Sequence, residues 1–380
     1  MRVTCSQDSL HRALAMAGRA VATKSTLPVL GNYLLEAAGD TLSISATNLE
    51  FGITCEIGAT VGQAGRTTLQ ARVLSDFVAN LPSGEVELSQ DANPLLTLVR
   101  SGQSLAHLRG IDPDDFPRLI SSVEGGASLT IDPGLLREAI AHVVFAAATD
   151  DSRPVLAGVQ LDVRDGAIAL SAADGFRMSL RSVALDEAPS EPLAIIVPAK
   201  ALQELSRVLA DIADPVTLRV TPNQSQILVS AAGVRFSSRL IDGAFPDLKQ
   251  VVPKQWNTRT VVRRETLLDA TKRAAIFART NNDVIRLAMA PAEDGFDMGR
   301  VTITANAADT GDNQDDVDAS VEGGEVQIAF NGRYLSDVLG VMRGSEVAFE
   351  LMGPNSAGVI KSVESDDFTH VIMPMVIGSN

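Results

Sequence analysis

Ala71-Arg72-Val73-Leu74-Ser75-Asp76-Phe77, followed by Gly84-Glu85-Val86-Glu87-Leu88, decides the fold reading, because the chain repeats its pattern twice more. The second copy is Ala199-Lys200-Ala201-Leu202-Gln203-Glu204-Leu205, with Pro215-Val216-Thr217-Leu218 behind it. The third is Gly332-Arg333-Tyr334-Leu335-Ser336-Asp337-Val338, with Gly344-Ser345-Glu346-Val347-Ala348-Phe349. In each, a basic residue opens a run with apolar positions at helical spacing, and a turn leads into an alternating strand.

Working outward, a second landmark recurs at a period of roughly 130 residues, the spacing expected of tandem domains rather than of short solenoid repeats. Leu42-Ser43-Ile44-Ser45-Ala46-Thr47-Asn48 matches Ile168-Ala169-Leu170-Ser171-Ala172-Ala173-Asp174, and Val301-Thr302-Ile303-Thr304-Ala305-Asn306-Ala307 matches both. These read as period-two strands ending in a small polar turn. Asp115-Phe116-Pro117 recurs as Ala244-Phe245-Pro246.

Each copy also begins with an amphipathic helix. The first places Leu10, Leu14, Ala17 and Val21 on one face, with Arg12 and Arg19 off it. The second opens with Asp132 as N-cap and Pro133 at the first helical position, then Leu136, Ile140 and Val143. The third runs through Leu267, Leu268, Ala275 and Ile276, with Lys272 and Arg279 a heptad apart. Linker-like stretches, Ser121 to Gly126 and Val252 to Gln255, separate the copies. The fold class is therefore α+β in triplicate, two helices and several short strands per unit, with domains 1–125, 126–253 and 254–380.

A chain of 380 residues with 45% hydrophobic content supports several real cores, and 4% aromatics makes those cores aliphatic. The net charge of −15 argues against an ordinary basic nucleic-acid surface. Two cysteines, Cys5 and Cys55, make no disulfide framework and fit a reducing, cytoplasmic setting. No apolar run approaches the roughly 20 residues that span a bilayer, and Met1 to Ser9 has no apolar signal core.

A catalytic constellation is not found. His11, His107, His142 and His370 are scattered, Gly58 to Thr68 lacks the order of a phosphate-binding loop, and no nucleophile elbow occurs. The acidic run Asp309 to Asp318 fails the calcium-loop pattern because Val317 stands where the turn needs glycine, so it reads as a solvated acidic loop or an interface. The pairs Asp114-Asp115 and Asp150-Asp151 read as turn residues. No catalytic residue, metal or cofactor is expected.

Four further segments carry a resemblance. Thr26-Leu27-Pro28-Val29-Leu30-Gly31-Asn32, Ala173-Asp174-Gly175-Phe176-Arg177, Asp242-Gly243-Ala244-Phe245-Pro246-Asp247 and Val371-Ile372-Met373-Pro374-Met375 resemble, in this order, motifs of the bacterial replication sliding clamp, the β subunit of DNA polymerase III. The resemblance covers the whole chain. It implies two protomers joined head to tail into a ring of six similar domains, with helices lining the hole and duplex DNA threaded through it. It also implies that DNA polymerase III subunits, the clamp loader, other polymerases and repair factors dock through short linear peptides, with no membrane involved. A ring holds DNA topologically, so it tolerates an acidic exterior, and weak lining contacts permit sliding.

Carried over by residue, the resemblance implies DNA-lining cations at Lys24, Arg72, Lys200 and Arg279. Asp150, Pro154 and Val155 stand where some members carry a DNA-contacting glutamine and tyrosine pair. The partner-peptide pocket maps to Leu156, Ala173, Gly175, Arg177 and Met178, to Pro246 and Val251, and to Val371, Ile372, Met373, Pro374 and Met375. Apolar walls with adaptable methionines suit several partners. Val376 to Asn380 replaces the family's short basic-apolar tail. At the protomer interface Leu108 is expected to meet Ile276 and Phe277, with Gln103 and Leu105 in place of the family's basic residues. Two other readings stand beside this one: a hydrolase using the Asp pairs, and a monomeric adaptor built on the same fold.

Overall fold

The structure is a computed structural model, and it describes residues 1–375 apart from 91, 92, 151, 188, 190, 293–297, 308 and 310. Asp151, Thr310 and the tail 376–380 thus lie outside the described residues.

Each sequence copy contains two α-helices: α1 (Gln7–Ala17) and α2 (Ala71–Ala79), α3 (Pro133–Val143) and α4 (Ala199–Leu209), then α5 (Arg264–Ala278) and α6 (Gly332–Val341). Local chemistry sets their starts. Ser6 caps α1, its hydroxyl oxygen accepting from the Ser9 amide at 3.1 Å, and Asp132 Oδ1 accepts from the Leu135 amide at 2.9 Å ahead of α3. Asn331 Oδ1 accepts from the amides of Arg333 and Tyr334 at the head of α6.

Two helix faces differ from expectation. Helix α1 stops at Ala17, so Val21 falls beyond a short 3-10 turn and outside the buried stripe Leu10, Ala13, Leu14, Ala17. On α5 the buried stripe is Leu267, Leu268, Ala270, Thr271, Ala274 and Ala278, and Ile276 is 62% exposed. At about 100° per residue, a position two residues from both Ala274 and Ala278 points away from them.

The described residues divide into two compact units: Met1–Arg137 with Asp186–Pro192 and Lys200–Leu240, and Glu138–Leu185 with Leu193–Ala199 and Ile241–Asn380. The units do not follow the three copies, because strands pair across copy borders. In the first unit an eight-stranded antiparallel sheet puts Phe51–Gly58 of the first copy beside Val234–Arg239 of the second, in the register Phe51↔Ser238 to Cys55↔Val234. A five-stranded sheet in the same unit ends on the edge strand Ser104–Arg109. In the second unit a twelve-stranded sheet puts Arg177–Ala184 of the second copy beside Phe368–Ile372 of the third, from Arg177↔Ile372 to Arg181↔Phe368.

The acidic run is not a loop. Gly311–Gly323 is one long strand paired with Gly299–Ala307. Val317 and Ala319 turn inward while Asp316 and Asp318 stay exposed, so the acidic residues occupy the solvent phase of a period-two pattern. Arg273 of α5 reaches Asp315 at 2.8 Å and holds that carboxyl below its usual range.

Cores are aliphatic with isolated rings, such as Phe330 and Phe349 among Leu267, Ile303, Leu335 and Leu339. Cys5 and Cys55 are free and buried, and burial pushes both thiols up to about 12. Among the described residues no helix is long and apolar enough to cross a membrane, and no group of three or more His, Cys, Asp or Glu is placed to hold a metal.

Candidate functional site

The turn between Ala167–Ala173 and Arg177–Ala184 is fixed by its own side chains and by the segment after Phe368–Ile372. Asp174 Oδ1 accepts from the amides of Phe176 and Arg177 at 2.8 and 2.9 Å. Gly175 has φ +95°, a left-handed backbone that favours glycine, and a Cβ there would displace the Arg153 guanidinium. The amide of Met373 donates to Phe176 O at 2.8 Å, drawing the extended segment 373–375 against the turn, and the Met375 amide donates to Ala329 O.

Beside this turn Ala173, Met178, Leu248, Val359 and Val371 form a small apolar cluster, with Leu180, Phe245, Val252 and Ala357 packed on it. Its surroundings expose large apolar groups: Phe176 at 62%, Val251 at 64% and Met373 at 48%. Ala173, Met178 and Val371 thus make a floor. Pro246 is exposed, while Pro374 and Met375 are half-buried. Leu156 is half-buried in the turn Pro154–Ala157, whose neighbour Arg153 donates to Asp174 O at 2.7 Å.

Two residues differ from the sequence reading. Ile372 is fully buried in the core with Leu267 and Leu335, because alternate strand residues face opposite sides. Arg177 is fully engaged: Nε to Asp174 at 3.1 Å, Nη1 to Asp337 at 2.7 Å and Nη2 to Phe145 O at 2.6 Å. Its guanidinium also lies 4.1 Å from the Tyr334 ring centroid. Sequence reasoning passed over Phe176, which lies inside a quoted motif, and Tyr334 and Asp337, which lie inside the third copy of the helix landmark.

Of the proposed lining cations, Lys24 is exposed in an irregular segment, Arg72 and Lys200 are exposed in the first turns of α2 and α4, and Arg279 is exposed at the end of α5. A cation in a first turn opposes the helix dipole and gains nothing for the helix. Arg72 meets Asp76 only at 3.7 Å, and Lys24, Lys200 and Arg279 make no ion pair among the described residues. Leu108 is half-buried on the edge strand, Ile276 is exposed, and Phe277 packs partly on the core.

Tandem α+β units, an apolar cluster flanked by exposed Phe176, Val251 and Met373, and unpaired Lys200 and Arg279 at helix ends suit a binding scaffold. Similarity to known proteins says which one. The DNA polymerase III beta subunit N-terminal, central and C-terminal domains match residues 1–120, 130–247 and 249–376. The chain is 32% identical over 379 residues to a beta sliding clamp from Pseudomonas putida, covering 99% of this chain and 100% of that one. It is 30% identical over 385 residues to the beta sliding clamp of Bacillus subtilis, covering 99% of each. The crystal structure of the DNA polymerase sliding clamp from Bacillus subtilis superposes with a TM-score of 0.92 at 29% identity over 99% of each chain. The chain belongs to the bacterial sliding clamp family, the DNA polymerase III beta subunits. It has the family's three-domain clamp fold, and the family is one of processivity factors rather than enzymes.

Behind the groove floor, His370 is fully buried, its Nδ1 2.7 Å from Ser179 Oγ, and burial lowers its pKa to about 3. Burial lowers His142 as well. The native state thus keeps the His370 ring neutral, whereas the unfolded chain takes up protons below about 6.5. Stability is full above that pH and declines as pH falls toward 3. His370 alone should cost about 1.4 kcal/mol between pH 7.5 and 5.5. Urea unfolding at the two pH values measures it. The variant His370→Phe copies Phe236, which holds the matching ladder position of the first unit, and it should lose that part of the slope. An unchanged slope in the variant contradicts the assignment.

Proposed function

We propose that two copies close head to tail into a ring of six domains that encircles duplex DNA and tethers DNA polymerase III for processive synthesis. The observation that carries this is the cross-copy ladder. The strand after the first-copy turn pairs with the last strand of the second copy, and the matching second-copy strand pairs with the last strand of the third. Among the described residues, the third-copy strand along 311–318 is paired only with Gly299–Ala307, and Ser104–Arg109 only with Leu96–Ser101. By the cross-copy rule, these two strands of one chain lack their counterparts and are each other's expected partners. Their charges complement, with Asp312, Asp316 and Asp318 on one and Arg109 on the other. A monomeric adaptor would leave both edges bare, an aggregation hazard.

Domains 1–125, 126–253 and 254–380 suit this reading, since the family matches end within a few residues of them. Lys24, Arg72, Lys200 and Arg279 would touch phosphates weakly enough to slide. The groove around Met178, Val371 and Met373 would receive short peptides of the polymerase, the clamp loader and repair factors in the cytoplasm, one partner at a time.

Two outcomes test this. Wild type should sediment at twice the chain mass at micromolar concentration, and Ile276→Asp with Phe277→Asp should halve it by burying unpaired charge. A monomeric wild type contradicts the ring. Met373→Ala should weaken a leucine- and phenylalanine-rich peptide by about 1–4 kcal/mol in calorimetry, with circular dichroism unchanged because Met373 is 48% exposed. Equal affinity would remove Met373 from the groove.

A further inference from the structure

Two turns in this chain are built alike and differ at one residue in a way the fold does not require. Asn48 Oδ1 accepts from the amides of Glu50 and Phe51 at 3.0 and 2.9 Å, as Asp174 does for Phe176 and Arg177. The Arg239 amide donates to Glu50 O as the Met373 amide donates to Phe176 O. Leu49 adopts φ +76° where Gly175 has +95°. Phe51 and Arg177 thus occupy one structural position, each on the first rung of a cross-copy ladder. In the first unit Phe51 simply stacks on Phe236, centroids 5.6 Å apart. The first rung of that ladder, Phe51↔Ser238, forms without a charged side chain. The Arg177 cluster in the second unit therefore serves something other than the ladder.

What it holds is the groove. Arg177 ties three elements together: its own turn through Asp174, the short helical turn Val144–Ala146 through Phe145 O, and α6 through Asp337 and the Tyr334 ring. With only 10% of its side chain exposed and every nitrogen engaged, it has no free face for a ligand. The same turn presents Phe176 and fixes Met373 by the backbone bond. Holding such a wall in advance spares the binding step the cost of ordering it.

We propose that Arg177 is a positioning residue, not a peptide contact, and that the Arg177–Asp337 pair makes the groove's shape depend on helix α6. The proposal rests on the groove being a peptide site. Asp337 is the residue to change, because its side chain is 44% exposed and its loss leaves no buried carboxylate behind. In full-length protein, Asp337→Asn should weaken the leucine- and phenylalanine-rich peptide by about three- to tenfold, a fraction of the strength of one charge-assisted hydrogen bond. Melting temperature should fall by no more than about 2–4 °C, with the fold retained. Asp337→Glu should restore affinity, whereas Arg177→Lys should not, since lysine lacks the planar fork that serves three acceptors. Without peptide, the methyl resonance of Met373 should shift in Asp337→Asn and return in Asp337→Glu. Wild-type affinity in Asp337→Asn or in Arg177→Lys overturns the proposal. If wild type binds no peptide, the groove reading fails, and an unmoved Met373 resonance would then overturn the coupling independently.

Discussion

Everything above local structure depends on one interaction, the antiparallel ladder that joins the strand after each copy's turn to the last strand of the next copy. Backbone groups buried at such a junction must find partners, and the ladder supplies them to both copies at once. It also explains why the compact units each straddle a copy border. A chain built on this rule cannot satisfy its own ends, and the acidic strand Gly311–Gly323 and the strand Ser104–Arg109 are what remains. The proposed ring closure by a second copy would extend the rule that builds each unit.

The charge balance follows the same division of labour. Most of the arginines that hold structure are paired, as Arg177, Arg181, Arg235 and Arg273 are with carboxylates. Lys24, Lys200 and Arg279 stay exposed, and two of the proposed lining cations sit in first turns, where the helix dipole disfavours them. A chain at −15 can act on DNA if closure supplies the retention and these few cations only centre the duplex.

Much of the fold was legible in the sequence. The three helix pairs follow from apolar spacing, and Asp132 before Pro133 marks α3 as the capping chemistry requires. Errors arose where a local pattern has two solutions. Ile276 looks like a continuation of the α5 stripe, yet 3.6-residue periodicity continues it through Ala274 and Ala278, with Ala275 packed at its margin. The run Asp312 to Asp318 looks like a loop by charge, yet Val317 and Ala319 alternate as a strand. The candidate groove was found by motif, but its mechanics were not. Period-two alternation says which face a residue takes, so Val371 and Ile372 had to part company, but it does not say which strand lies alongside. That Arg177 would meet Asp337, 160 positions away, is a tertiary fact with no local signature.

The most direct test of encirclement is topological. The clamp, loaded onto nicked circular plasmid by its loader, is washed in salt near 1 M, where charges are screened within roughly 3 Å, and the plasmid is then cut once. A ring predicts retention through the salt wash and release on cutting, with Lys24→Ala, Lys200→Ala and Arg279→Ala together slowing loading but leaving retention on circles intact. Loss in salt from the uncut circle, or retention on linear DNA with free ends, would mean that contacts rather than closure hold the DNA, and would contradict the account.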